Sequence, residues 1–348
     1  MIKKTIGIPF LLTKVDKFKI SVIITAYDRR KFILEALESA LNQTLPPSRY
    51  EVIVISNFDI QLLKEEIKPP ITLIKMSGTI GEYLFEGISR AQNEIITFLE
   101  DDDIWDKGRL MEIVKFFSSF PKVKYYHNSQ WYIDGDRKII TPLFHNPMKT
   151  NSESYRLTPT KYKDISKLIS LATGFNLSSI AISKSAFLDS LDSLKIIPTN
   201  PDGFFFWKAV INGNEIYQDN RKLTGYRMHD QNLSLSKDTI SKANDLSRQL
   251  ETFKILLKHV QMNFREEKIV HNYLELQCLE WKSQQLMILG KRRRDIIPYF
   301  LKILKFMMIV FMDLTILRVI IYIMSYLIHP KLYSFIVEKI SINAYAHQ

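Results

Sequence analysis

The most chemically loaded stretch of the chain is Glu100-Asp101-Asp102-Asp103-Ile104-Trp105, four consecutive carboxylates directly after the apolar run at 94–99. Carboxylates this close repel each other by about 1 kcal/mol per pair in water, and by more where solvent is excluded. A solvated turn with an acidic helix cap would relieve that repulsion. Against it stand Trp105, which disfavours full solvation, and the buried character of the preceding run. Hard divalent cations prefer carboxylate oxygens, and Mg²⁺ or Mn²⁺ held by one or two carboxylates normally completes its shell with substrate phosphates. A nucleotide diphosphate is therefore the ligand this chemistry suggests. Two other segments stand out. In Pro201–Trp207 (PDGFFFW), Asp202 suits a turn or a helix cap. In Tyr226–Ser234 (YRMHDQNLS), Arg227 can grip a phosphate bidentately and His229 can meet a metal or a phosphate oxygen.

The elements that must position these residues read as follows. Lys19–Thr25 is a β-branched strand, and Tyr27-Asp28-Arg29-Arg30 is a helix entry. Residues 31–43 place Ile33, Leu34, Leu37, Ala40 and Leu41 on one helical face, and Pro46 and Pro47 end that helix. Strands follow at Glu51–Ile55, Ile71–Lys75 and Glu94–Leu99, with helices at 60–66 and 81–92 between them. This alternation predicts an α/β fold with a mostly parallel sheet, whose ligands bind beyond the carboxyl ends of the strands. The acidic run falls at such an end. Residues 120–235 are less regular, with a Pro/Asn/Ser/Thr-rich loop at 142–160 and a helix opening at 204–207, and 238–290 reads as long amphipathic helices. A boundary near 237 separates residues 1–237, with a nucleotide-binding half at about 19–120 and an acceptor half at about 121–237, from a helical, basic and apolar region at 238–348.

Four segments in order, SVIITAYDR at 21–29, LNQT at 41–44, EVIVI at 51–55 and FLEDDDIW at 98–105, resemble the family 2 glycosyltransferases of GT-A fold. The resemblance covers roughly residues 19–235. It implies a Rossmann-like, mixed but mostly parallel sheet and an inverting, metal-dependent transfer of a sugar from a nucleotide-diphosphate sugar to a hydroxyl. By the same resemblance Thr25, Ala26, Tyr27, Asp28 and Arg29 would line the donor pocket, and the family's DxD motif falls on Glu100-x-Asp102. Asp102, Asp103 and His229 would hold Mg²⁺ or Mn²⁺, Asp101 would touch ribose or the donor sugar, and Arg227 would meet the donor's phosphate. PDGFFFW is similar to the family's EDxxLW segment, which makes Asp202 the catalytic base, and 174–182 (GFNLSSIAI) resembles the strand before the acceptor site.

The chain departs from the family in two places. Ser56-Asn57 replaces the usual Asp pair after the second strand, although an Asn57 side-chain oxygen can still accept the imide N–H of a base. Tyr83–Gly87 replaces ARNxG and loses an arginine near the diphosphate, so a cation from elsewhere would have to compensate. A UDP-sugar is the favoured donor, with GDP or dTDP sugars as alternatives, and a glycan or lipid-linked molecule is the expected acceptor.

With 348 residues, 46% hydrophobic and 24% charged, the chain is too long for a peptide module and too apolar to be mostly disordered. Its net charge of +11 implies an anionic partner. Seven of those charges lie in 240–348, which holds 16 Lys and Arg against 9 Asp and Glu, and no zinc-finger, helix-turn-helix or aromatic RNA-binding signature accompanies them. Nucleic acid is therefore not the expected partner. The tail carries KRRR at 291–294 before an apolar region at 296–328 that Lys302, Lys305, Asp313 and Arg318 interrupt. It reads either as a buried helix pair or as an interfacial segment on an anionic membrane surface. Cys278 stands alone and the N-terminal apolar run is broken by Pro9, which together suggest a reducing, cytoplasmic location without a signal peptide. Two competing functions are a nucleotidyltransferase, which lacks a Gly-rich phosphate loop here, and a non-catalytic membrane-associated scaffold that binds metal or nucleotide.

Overall fold

A computed structural model describes residues 18–60, 69–141, 153–229, 239–260, 265–309 and 314–328. The first half alternates as its hydrophobic pattern predicts: β1 (Ile20–Ala26), α1 (Ile33–Leu41), β2 (Tyr50–Ser56), β3 (Ile71–Lys75), α2 (Ile80–Arg90) and β4 (Ile95–Glu100). Then come β5 (Ile104–Trp105), α3 (Arg109–Ser119), β6 (Val123–Ile133), β7 (Ile139–Ile140), β8 (Tyr155–Leu157), α4 (Tyr162–Ser170), β9 (Ile180–Ser183), α5 (Leu191–Lys195), α6 (Pro201–Ile211) and β10 (Glu215–Arg227). Four helices close the described chain: α7 (Thr239–Leu257), α8 (Arg265–Ile288), α9 (Arg293–Ile309) and α10 (Leu314–Ile328).

The strands form one sheet in the order β3-β2-β1-β4-β9-β6-β10-β5, with β7 on β6 and β8 on β10. β3, β2, β1 and β4 are mutually parallel, β9 runs antiparallel between β4 and β6, and β10 returns parallel to β6. The period-2 alternation of side chains assigns each strand residue to a face. Ile23, Ile53, Ile55, Ile96 and Phe98 pack under α2, α6 and the C-terminal helices, while Val22, Ile24, Val52, Val54 and Leu99 pack under α1 and α3. The first of these cores is continuous from Ile23 through Trp207 to Phe253, Tyr273 and Ile323, so the helices after residue 239 share apolar packing with the sheet. Gly87 lets α2 approach closely, since a Cβ there would lie 2.7 Å from Ile23 Cγ2 and 2.9 Å from Ile55 Cδ1.

Several expectations are corrected. Tyr27–Arg30 is not a helix entry: Asp28 adopts φ 56° and the helix begins at Ile33. Part of the expected loop at 142–160 is strand β8, which pairs antiparallel with β10, while 142–152 lie outside the described residues. Most of the expected helix at 60–66 also lies outside them. In 174–182 a short 3₁₀ turn, Leu177–Ser179, precedes β9. The apolar tail forms the helix pair α9 and α10, which buries Ile296, Ile303, Ile320 and Ile323 yet exposes Ile297, Leu301, Ile321, Met324 and Ile328. Among the described residues, no helix is long and apolar enough to cross a membrane.

Candidate active site

The register of the parallel strands brings the site together. Thr25 pairs with Ile55 on one side and Glu100 on the other, so the carboxyl ends of β1, β2 and β4 finish side by side. The turn after β4 delivers Asp101, Asp102 and Asp103, which are 1%, 6% and 1% exposed. Arg29, from the loop after β1, spans two of them, with Nη2 2.5 Å from Asp101 Oδ1 and Nη1 2.5 Å from Asp102 Oδ2. His229 Nε2 lies 3.1 Å from the same Asp102 oxygen, and its ring rests on Phe32 with centroids 5.2 Å apart. Asp103 accepts from the Arg227 backbone N–H at 2.9 Å and from Asn176 Nδ2 at 3.0 Å.

The carboxylates do not share their charge evenly. Burial and the neighbouring Asp102 charge push Asp101 and Asp103 each up to about 7, and burial with the other acids pushes Glu100 well above its ordinary value. Burial also works against Asp102, but the His229 hydrogen bond and the Arg29 charge overcome it and hold that carboxyl below its usual range. Asp102 is thus the fixed negative charge of the cluster. The Arg29 pKa is raised although burial opposes its charge, because Asp102, Asp101 and Glu100 face it.

A further acid comes from the start of α6. Asn200, at φ 57°, accepts from Gly203 N at 3.2 Å and Pro201 fills the first helical position. The cap is therefore Asn200, not Asp202, and the Asp202 carboxylate is left on the cavity wall. Its Oδ2 accepts from the Asn176 backbone N–H at 2.9 Å, and burial raises its pKa. Asn176, itself at φ 69°, touches Asp103 with its side chain and Asp202 with its backbone, so one residue fixes both acidic groups. A non-glycine residue with positive φ is strained and tends to persist where geometry matters. Asparagine is among the non-glycine types most prone to positive φ, but its type alone does not reveal that it touches both acids.

A cavity of about 700 Å³ opens here, lined among others by Thr25, Tyr27, Arg29, Glu100, Asp102 and Asp202. Tyr27, 54% exposed and 6.1 Å from the Tyr83 ring, offers an aromatic face there. Other expected donor residues sit elsewhere. Ala26 is fully buried in β1. Asp28 and Asn57 bind each other, with Asn57 Nδ2 2.6 Å from Asp28 Oδ1 and Asn57 Oδ1 accepting the Asp28 backbone N–H at 3.0 Å. Only a remaining Asn57 lone pair could take a base N–H.

Arg227 is not brought to the cavity. It is fully buried, donates to the carbonyls of Asp102, Asp134 and Gly135, and pairs with Glu35 at 2.5 Å. It braces the acidic turn from beneath, so it cannot also meet a phosphate in this geometry. Asp103, expected as a metal ligand, has both oxygens turned into the protein.

Among the described residues, no group of three or more His, Cys, Asp or Glu side chains converges as a metal centre. The donor set nevertheless fits Mg²⁺ or Mn²⁺. Asp101 Oδ2 is buried without a hydrogen-bond partner, and the acids outnumber the Arg29 cation that pairs with them. Asp102 with His229 would hold the ion, and oxygens of a phosphorylated ligand would complete its shell.

Residues 21–184 match the family model described as glycosyl transferase family 2. Curated relatives include an uncharacterized glycosyltransferase of Nostoc sp., 30% identical over 133 residues covering 35% of this chain and 39% of that protein. The poly(ribitol-phosphate) β-N-acetylglucosaminyltransferase TarS of Staphylococcus aureus is 24% identical over 106 residues, 28% of this chain and 18% of its own. The chain thus spans well under half the length of these relatives. Among solved structures, S. aureus TarS 1–349 superposes with a TM-score of 0.55 at 16% identity over 94% of this chain and 89% of that one, and it has also been solved with UDP-GlcNAc. The Pyrobaculum calidifontis mannosyltransferase PcManGT, in complex with GDP-Man and Mn²⁺, gives 0.53 at 11% identity over 95% and 87%. Likeness at this level of identity establishes the fold.

Proposed function

We propose that this chain, whose residues 21–184 match the family 2 glycosyltransferase model and whose fold is that of GT-A enzymes, catalyses an inverting transfer of a sugar from a nucleotide-diphosphate sugar to a hydroxyl of a glycan or lipid-linked acceptor. The observation that carries this reading is that Asp102 and Asp202 line one cavity, with Asn176 bonded both to Asp202 and to Asp103, the neighbour of Asp102. Asp202, with its raised pKa, is suited to accept the acceptor's proton, a contribution of roughly 10²–10⁴ in rate. Attack in line with the departing diphosphate inverts the anomeric carbon without a covalent intermediate. When bound at Asp102 and His229, Mg²⁺ or Mn²⁺ would neutralise charge growing on the nucleoside diphosphate. Arg29 is the cation positioned to replace the arginine lost from the Tyr83–Gly87 segment.

A UDP-sugar is favoured as donor, supported by the TarS complex with UDP-GlcNAc, and a GDP-sugar is the alternative supported by the mannosyltransferase. A cytoplasmic enzyme resting on the membrane surface is supported by the exposed apolar side chains of α9 and α10 beside the exposed Lys291–Arg294. The test is nucleoside diphosphate release from UDP-, GDP- and dTDP-sugars with Mn²⁺, with and without acceptor extracts. Metal-dependent release from one donor is expected. Silence with every donor would favour a non-catalytic scaffold.

A further inference from the structure

The matched family segment ends at residue 184, yet the cavity does not. Asp245, Arg248 and Gln249 of α7 and Trp281 of α8 line it as well. Their placement follows from helical spacing. Thr252 Oγ1 donates to the Thr199 carbonyl at 2.8 Å, which fixes one face of α7 over the loop that leads into Asp202. Gln249, Arg248 and Asp245 stand three, four and seven residues before Thr252, on that same face. Trp281 is anchored edge-on to Phe253 at 4.3 Å, and Phe253 meets Trp207 of α6 at 6.4 Å, so the indole is tied to the helix that carries Asp202.

We propose that α7 and α8 form the acceptor wall and that its ligand is a neutral sugar ring. The Trp281 indole takes the C–H face of the ring, and Arg248 and Gln249 bind its hydroxyls. The inference rests on the glycosyltransferase reading above and adds the acceptor's chemistry. Neutrality follows from charge. The Arg248 guanidinium is paired with the Asp245 carboxylate, so the wall carries no net charge, while in the rest of the cavity Asp102 is ionised and the Arg29 cation is already taken up by Asp101 and Asp102. An anionic acceptor would meet like charge there, whereas planar polar groups beside an indole suit vicinal hydroxyls on a ring with an apolar face.

The experiment titrates the full chain, loaded with UDP and Mn²⁺, with the methyl glycosides of glucose, galactose and N-acetylglucosamine and with ribitol 5-phosphate, followed by saturation-transfer NMR. At least one methyl glycoside should bind saturably and more tightly than ribitol 5-phosphate. Trp281→Ala should weaken that glycoside about tenfold or more, the Arg248→Ala/Gln249→Ala pair should do likewise, and Trp281→Phe should keep most of the affinity. A UDP-induced thermal shift retained by each variant shows that it is folded. The inference is overturned if no methyl glycoside binds, if ribitol 5-phosphate binds more tightly, or if folded Trp281→Ala binds as the parent does. Failure of the unsubstituted chain to bind UDP would instead overturn the glycosyltransferase reading.

Discussion

At the scale of single residues, the two acids of the site differ in the consequence of losing them. Asp102 is the ionised member of its cluster and faces Arg29 and His229, so Asp102→Ala should abolish Mn²⁺-dependent binding of the nucleotide sugar, as followed by calorimetry. Asp202→Asn keeps a polar group against the Asn176 N–H, and so should leave donor binding intact while lowering transfer by at least about 10²-fold. Full activity of that variant would remove Asp202 as the base. A third residue bears on stability. His127 is fully buried, with Nδ1 2.8 Å from Gln218 Oε1 and Nε2 2.7 Å from the Phe175 carbonyl, and burial lowers its pKa to about 4 against 6.5 in an unfolded chain. The unfolded state therefore binds the proton first as pH falls. The contribution of His127 is complete above about 6.5 and is lost toward pH 4, roughly 2 kcal/mol of it by pH 5. The stability gap between the parent and His127→Gln, measured by urea unfolding, should narrow by about that amount from pH 7 to pH 5.

At the scale of elements, the parallel half was readable because each strand and helix there obeys its own local period. The acidic turn was readable for the same reason, since four adjacent carboxylates need no tertiary information to be noticed. What stayed hidden depends on partners far along the chain. Arg227 has the residue type of a phosphate binder, and only its burial against Glu35 and the Asp102 carbonyl reveals a brace. Asn176 acts through a left-handed backbone, and Arg248 and Trp281 look like ordinary members of amphipathic helices until α7 is seen crossing the loop at Thr199. Gly87 has a role of the same kind. Gly87→Ala would gain about 1 kcal/mol of helix propensity, but its Cβ would press on Ile23 and Ile55, so a net loss of about 1–2 kcal/mol is expected from the urea midpoint. An unchanged or raised midpoint would show that α2 can lift from the sheet at no cost.

For the whole molecule, charge and fold meet in the tail. The exposed Arg292 and Arg294 stand beside the exposed apolar positions Ile297 and Leu301 on α9. If this face rests on an anionic bilayer, each basic side chain contributes about 1 kcal/mol. The charge-reversed pair Arg292→Glu/Arg294→Glu should then lose most of its flotation with phosphatidylserine vesicles while its UDP-induced thermal shift is kept, and undiminished flotation would place the contact elsewhere. The core that joins α6 to α7 and α8 also has a meaning in time. On a ribosome adding ~5–20 residues per second, Phe206 and Trp207 are made several seconds before the helices that cover them. During that interval the nascent chain carries a broad wet aromatic surface beside a sheet whose β4 and β9 must find each other across a long stretch of chain. Slow pairing of this kind keeps such surfaces available to other chains. The same late helices that finish the cavity are thus the ones whose delay sets how long the newborn protein is adhesive.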